Sequence, residues 1–122
     1  MPSEAHEPAQ GRLILVVEDS EPIRGLLRMI LGEAGYRVIE AGSVDEAAAA
    51  VAQGPELLIT DIHLPGMNGV ALARELRQLR PELKVIFMSG HDFGVVMPAG
   101  SEFLAKPFPP AVLIQKVRSM LG

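Results

Sequence analysis

The chain has 122 residues, 48% of them hydrophobic and 21% charged, with a formal net charge of −4, which suits one globular domain with one core and excludes a disordered chain. There is no cysteine, so disulfides and thiolate metal sites are excluded, and the composition fits the cytoplasm. The acidic balance without a basic cluster argues against direct nucleic-acid binding, no apolar run approaches a membrane span, and the polar start lacks a signal-peptide core.

Residues 1–11 carry prolines and ionisable side chains with no hydrophobic period, and read as a flexible tail before a single domain over residues 12–122. Arg12 to Val17 is an apolar, β-branched run, the first expected strand, and it ends in Glu18 and Asp19. Ser20 is an expected N-cap and Pro22 suits a first helical turn. Ile23, Leu26, Leu27, Ile30, Leu31 and Ala34 keep helical spacing until Gly35. Arg37 to Glu40 is a short second strand. Ser43 to Glu46 has the S-x-x-E form of a capping box, opening a helix that runs to about Gln53.

Leu57 to Thr60 is the third strand. It stops at Asp61, and Pro65, Gly66, Asn68 and Gly69 follow in a loop. Asp61 thus stands where a strand ends and its side chain can meet solvent. Taken alone it is either an ordinary turn acid or a reactive, metal-binding carboxylate. Asn68-Gly69 opens a third helix that ends near Pro81. Leu83 to Met88 is the fourth strand, followed by Ser89-Gly90. Glu102 to Ala105 is the fifth strand, followed by Lys106-Pro107, and Pro109-Pro110 starts the last helix. Strands alternating with helices predict an α/β fold, a doubly wound parallel sheet with helices on both faces. Ligands in such sheets bind outside the carboxyl ends of the strands, where strand order reverses.

Those ends carry Glu18, Asp19, Asp61, Ser89 and Lys106. If strands one, three, four and five are neighbours, the five side chains converge. Three carboxylates this close repel one another unless a divalent cation or an ammonium intervenes. All-oxygen donors suit Mg²⁺. A phosphoryl group would then find a cation, the Lys106 ammonium and the Ser89 hydroxyl for its oxygens, with Asp61 as nucleophile.

Val17-Glu18-Asp19, Asp61-x-x-x-Pro65-Gly66-Met67-x-Gly69, Met88-Ser89-Gly90 and Phe103-Leu104-x-Lys106-Pro107-Phe108 occur in order at the strand ends. With these motifs the chain resembles the CheY-like receiver domain of two-component response regulators over roughly residues 12–121. The resemblance implies a flavodoxin-like five-stranded sheet of order 2-1-3-4-5. It implies phosphorylation of Asp61 by a histidine kinase or phosphotransfer protein, with Mg²⁺ on Asp19, Asp61 and the backbone carbonyl of His63. Glu18 would act through a metal-bound water. Ser89 and Lys106 would hold the phosphoryl oxygens, Ser89 and Phe103 would form the switch, and the Lys106-Pro107 peptide would be cis. Such a chain is no enzyme beyond catalysing its own phosphorylation and dephosphorylation. It signals by changing its affinity for a downstream protein that the sequence does not name.

His63 and His91 lie two residues beyond Asp61 and Ser89, at positions that tune phosphoryl lifetime in the family. Each is alternatively a solvated loop residue. Between Ser89 and Lys106 the family usually places a fourth helix. Gly94, Pro98 and Gly100 oppose one here, so that helix is expected to be absent or about one turn long. Phe93, Val95, Val96 or Met97 would then be exposed to a partner, and the usual dimer across that face would not form. The chain reads as a stand-alone receiver or one cut from a longer protein. Its last two motifs lean toward receivers of hybrid histidine kinases. Two alternatives stay open: a constitutive interaction module with an unused site, and a Mg²⁺-dependent aspartyl-phosphate hydrolase of the haloacid dehalogenase type. Against the second, position 63 is His rather than a second Asp, and Asp61 ends the third strand rather than the first.

Overall fold

The computed structural model describes residues 11–90 and 98–121. Among the described residues, twelve short elements occur in chain order: β1 (Leu13–Val17), α1 (Glu21–Glu33), β2 (Arg37–Ala41), α2 (Val44–Ala50) running into a 3₁₀ turn (Val51–Gln53), β3 (Leu57–Asp61), β4 (His63–Leu64), β5 (Met67–Asn68), α3 (Gly69–Leu79), β6 (Lys84–Ser89), β7 (Ser101–Ala105) and α4 (Pro110–Leu121). Five strands form one parallel sheet of order β2-β1-β3-β6-β7. The alternation predicted the parallel, doubly wound sheet, and its strand order is the one the family resemblance implies. The chain leaves β1 toward β2 on one side and later returns to β3 on the other, so strand order reverses between β1 and β3.

The alternation of side chains along each strand builds two cores. Leu15, Val17, Leu58, Val85 and Phe87 pack on one face with Ala47 and Ala50 of α2 and Leu72, Ala73 and Leu76 of α3. Ile14, Val16, Leu57, Ile59, Ile86 and Met88 pack on the other with Leu27 and Leu31 of α1 and Leu113, Val117 and Leu121 of α4. Both faces of β1 and β3 are covered, which is why these strands read as unbroken apolar runs.

Local chemistry sets the helix starts. Ser20 Oγ accepts from Ile23 N, Ser43 Oγ accepts from Glu46 N at 3.2 Å, and Asn68 Oδ1 accepts from Val70 N at 2.6 Å. The capping box at α2 differs from the expected form in one contact: Glu46 Oε1 accepts from Gly42 N, at 2.6 Å, one residue before the N-cap. The loop expected after Asp61 holds a miniature hairpin instead. His63 and Leu64 pair antiparallel with Asn68 and Met67 across a Pro65-Gly66 turn. Gly66 sits at φ +81°, the conformation a Pro-Gly turn places at its second central residue.

Residues 1–10 of the tail expected over residues 1–11, and the expected shortening of the segment around residues 91–97, with His91, Phe93, Val95, Val96 and Met97, lie outside the described residues. Among the described residues there are four α-helices, and no helix is long and apolar enough to cross a membrane.

Candidate functional site

Backbone hydrogen bonds carry the ladder one residue past the strands and so place the site. Glu18 N donates to Ala41 O at 3.2 Å, Ile62 N to Met88 O at 2.9 Å, and Lys106 N to Ser89 O at 2.9 Å. Counted in twos along their strands, Glu18 is in phase with Ile14 and Val16, Asp61 with Leu57 and Ile59, and Lys106 with Leu104. All three sit in phase with side chains of the α1/α4 core.

They meet. Lys106 Nζ lies 2.8 Å from Asp61 Oδ2 and 3.1 Å from Glu18 Oε1. The lysine stem reaches from the end of the edge strand β7 past β6 to β3 and β1. The other oxygens are also held: Asp61 Oδ1 accepts from His63 N at 3.1 Å, and Glu18 Oε2 accepts from Ser20 N at 3.0 Å. Asp61 is only 8% exposed. The expectation of a solvent-facing carboxylate is therefore corrected, because the Lys106 ammonium and the His63 amide take both its oxygens and shield it. Glu18 is buried and Asp19 is exposed, so the site opens outward through Asp19.

Charge is only partly balanced locally, with one ammonium facing three carboxylates. Burial pushes the Glu18 carboxyl up, and the Ser20 amide and Lys106 ammonium only partly oppose this. Burial by itself would depress the Lys106 ammonium, but its hydrogen bonds to Asp61 and Glu18 outweigh it, and the net shift is upward. Lys106 therefore stays charged at neutral pH.

Glu18, Asp19 and Asp61 each offer one oxygen, and these atoms lie within 4.8 Å of one another. Three hard carboxylate donors, one of them facing solvent, fit a small divalent cation that keeps part of its water shell. The same set does not fit zinc, which favours nitrogen and sulfur donors.

Ser89 is buried at the end of β6, 1% exposed. Phe103 is half-buried against the α2/α3 core, opposite Phe87 in the register of β6 and β7. The Lys106-Pro107 peptide is cis, as expected. His63 is exposed on β4. The sequence reading missed three contributors: the His63 amide on Asp61, the Ser20 amide on Glu18, and Arg24, whose Nη1 donates to Glu18 O at 2.8 Å. Backbone amides and a helix arginine carry no motif signal of their own.

The family model of the response regulator receiver domain matches residues 14–118. The chain belongs to that family. The receiver domain of the hybrid histidine kinase CckA is 33% identical, with a TM-score of 0.79, over 90% of this chain and 99% of that one. The response regulator TrrA from Thermotoga maritima, solved in complex with Mg²⁺-BeF, is 31% identical with a TM-score of 0.80, over 89% of this chain and 98% of that one. TrrA has also been solved bound to the histidine kinase ThkA. The transcriptional activator ExaE of Pseudomonas putida is 43% identical over 117 residues, 89% of this chain and 55% of that protein. This receiver domain spans about half the length of the curated relatives it matches.

Proposed function

We propose that this receiver domain is a phosphoacceptor switch in which Asp61 takes a phosphoryl group from the phosphohistidine of a histidine kinase or phosphotransfer protein. The observation that carries the reading is the Lys106 ammonium seated 2.8 Å from Asp61 Oδ2 at the point where Glu18 and Asp19 converge. The resemblance to TrrA, seen with a histidine kinase and with Mg²⁺-BeF, supports the choice of donor and cation.

Asp19, Asp61 and the His63 carbonyl would hold Mg²⁺, with Glu18 acting through a bound water, and the cation supplies charge neutralisation for the phosphoryl oxygens. An Asp61 oxygen attacks phosphorus opposite the imidazole. The P–O bond forms as the P–N bond breaks, and the electron pair leaves on the imidazole nitrogen, which takes up a proton. Lys106 shifts its charge from the carboxylate to a phosphoryl oxygen, and the Ser89 hydroxyl donates to another. The movement of Ser89 frees Phe103 to turn inward, so the surface that a downstream protein reads changes with phosphorylation. Beyond forming and hydrolysing its own acyl phosphate, the chain catalyses nothing.

The test is incubation with Mg²⁺ and a small acyl-phosphate donor, read by intact mass. One phosphoryl group, stable to acid and labile to base, is expected on the wild type and none on Asp61→Asn. An unlabelled wild type would favour a constitutive interaction module. Rapid turnover of a simple phosphate ester would favour the hydrolase.

A further inference from the structure

Asp19 is the exposed member of the acidic trio, so its position depends heavily on the backbone that carries it. That backbone is held from α1. Arg24 Nη1 donates to the carbonyl of Glu18 at 2.8 Å, and this carbonyl belongs to the peptide plane from which Asp19 leaves. The same guanidinium is anchored on its other edge: Arg24 Nε lies 3.4 Å from Glu40 Oε1, while Arg28 Nε lies 2.7 Å from Glu40 Oε2. Glu40 is on β2, and the adjacent Ala41 carbonyl accepts from Glu18 N. Both sides of residue 18 are thus tied to β2, its amide directly and its carbonyl through Arg24.

The sequence leaves room for this. A Cβ built on Gly42 would lie 2.9 Å from Arg24 Nη1, the atom that holds the Glu18 carbonyl. A side chain there would crowd the guanidinium and force it to shift where it meets its acceptor. A lysine could not replace Arg24, because only a planar fork can face the carbonyl and the carboxylate together.

We propose that Arg24 is a positioning residue for the cation site: it fixes the Glu18-Asp19 peptide plane so that the Asp19 carboxylate faces Asp61. The inference rests on reading the acidic trio as a Mg²⁺ site, and it adds a residue that touches neither cation nor phosphoryl group. Partners behind metal ligands typically change affinity by about 10–100-fold when removed. Acting through the backbone, Arg24 belongs at the lower end, about 10-fold.

The experiment is a Mg²⁺ titration of amide resonances on the full chain, with thermal unfolding in EDTA recorded alongside. Arg24→Ala should weaken Mg²⁺ binding about 10-fold. Gly42→Ala should weaken it in the same direction while keeping every charge. Arg28→Ala, which removes a neighbour on Glu40 but no bond to Glu18, should bind Mg²⁺ as the wild type does. In an Asp19→Asn background, Arg24→Ala should have no further effect on Mg²⁺ affinity, whereas a merely structural loss would add in full. Unchanged affinity in folded Arg24→Ala, equal weakening by Arg28→Ala, or additivity with Asp19→Asn would each overturn the clamp while leaving the phosphoacceptor reading intact. A wild type that binds no Mg²⁺ overturns both.

Discussion

Gly69 is where the structure makes its sharpest demand on the sequence. The hairpin of β4 and β5 returns the chain to the end of β3, and Gly69 N donates to Ile62 O at 2.6 Å. A Cβ built on Gly69 would lie 3.0 Å from both the Asp61 carbonyl carbon and the Ile62 Cα, and closer still to the Asp61 carbonyl oxygen. Carbon–carbon contacts settle at about 3.5–4.0 Å, so these two contacts alone need a displacement of about 0.5–1 Å for alanine, and the contact with the Asp61 carbonyl oxygen needs more. The neighbours are backbone atoms and cannot rotate away, so either α3 backs off or the Asp61 peptide shifts. Overpacking of this kind costs about 1–3 kcal/mol. A misplacement near 1 Å at a reacting group costs about 100-fold in rate. Gly69→Ala is therefore expected to lower stability by about 1–3 kcal/mol and to slow phosphorylation of Asp61 by one to two orders of magnitude. Urea unfolding followed by circular dichroism reads the first, and the initial rate of labelling by a small acyl-phosphate donor reads the second. A Gly69→Ala protein with wild-type stability and wild-type labelling would refute the argument that α3 and the phosphoacceptor strand are locked at van der Waals contact.

Three further outcomes follow from the site and its scaffold. Lys106→Met removes the ammonium that bridges Asp61 and Glu18 and should slow labelling at least about 100-fold, the scale of losing one preorganised charge; an unchanged rate in a folded variant would show that Lys106 serves stability alone. Mg²⁺ at about 100 times its dissociation constant should stabilise the wild type by about 2.7 kcal/mol through mass action, seen as a rise in the unfolding midpoint that Asp19→Asn largely abolishes. Arg77 donates to the carbonyls of Leu83, Ala99 and Gly100 at 2.8, 2.9 and 3.0 Å, at the strand edge opposite the site. Arg77→Ala should thus cost about 1–2 kcal/mol in stability with Mg²⁺ affinity unchanged, and a loss of Mg²⁺ binding would mean that the two edges of the sheet are coupled.

Much of this receiver domain was legible in its sequence, and for a local reason. Helix and strand periods are set by backbone geometry, so Leu27 and Leu31 announce α1 and the run from Leu57 announces β3 before any partner is known. Ser20, Ser43 and Asn68 cap their helices through bonds spanning two or three residues, within reach of a sequence pattern. The trio of Glu18, Asp19 and Asp61 could be proposed because parallel strands deliver their ends to one edge. What the pattern could not decide is which atoms meet there. Lys106 reaches Glu18 across 88 residues of chain and Asp61 across 45, a contact that exists only because β7 lies beyond β6 and in register with it. Arg24 is simply a polar position on an amphipathic helix until the sheet places Glu40 and the Glu18 carbonyl beside it. Asp61 looks solvent-facing until Lys106 closes over it. Local geometry is written in neighbouring residues, while the contacts that give Asp61 its chemical setting depend on strand order and register, which are settled only when the whole sheet assembles.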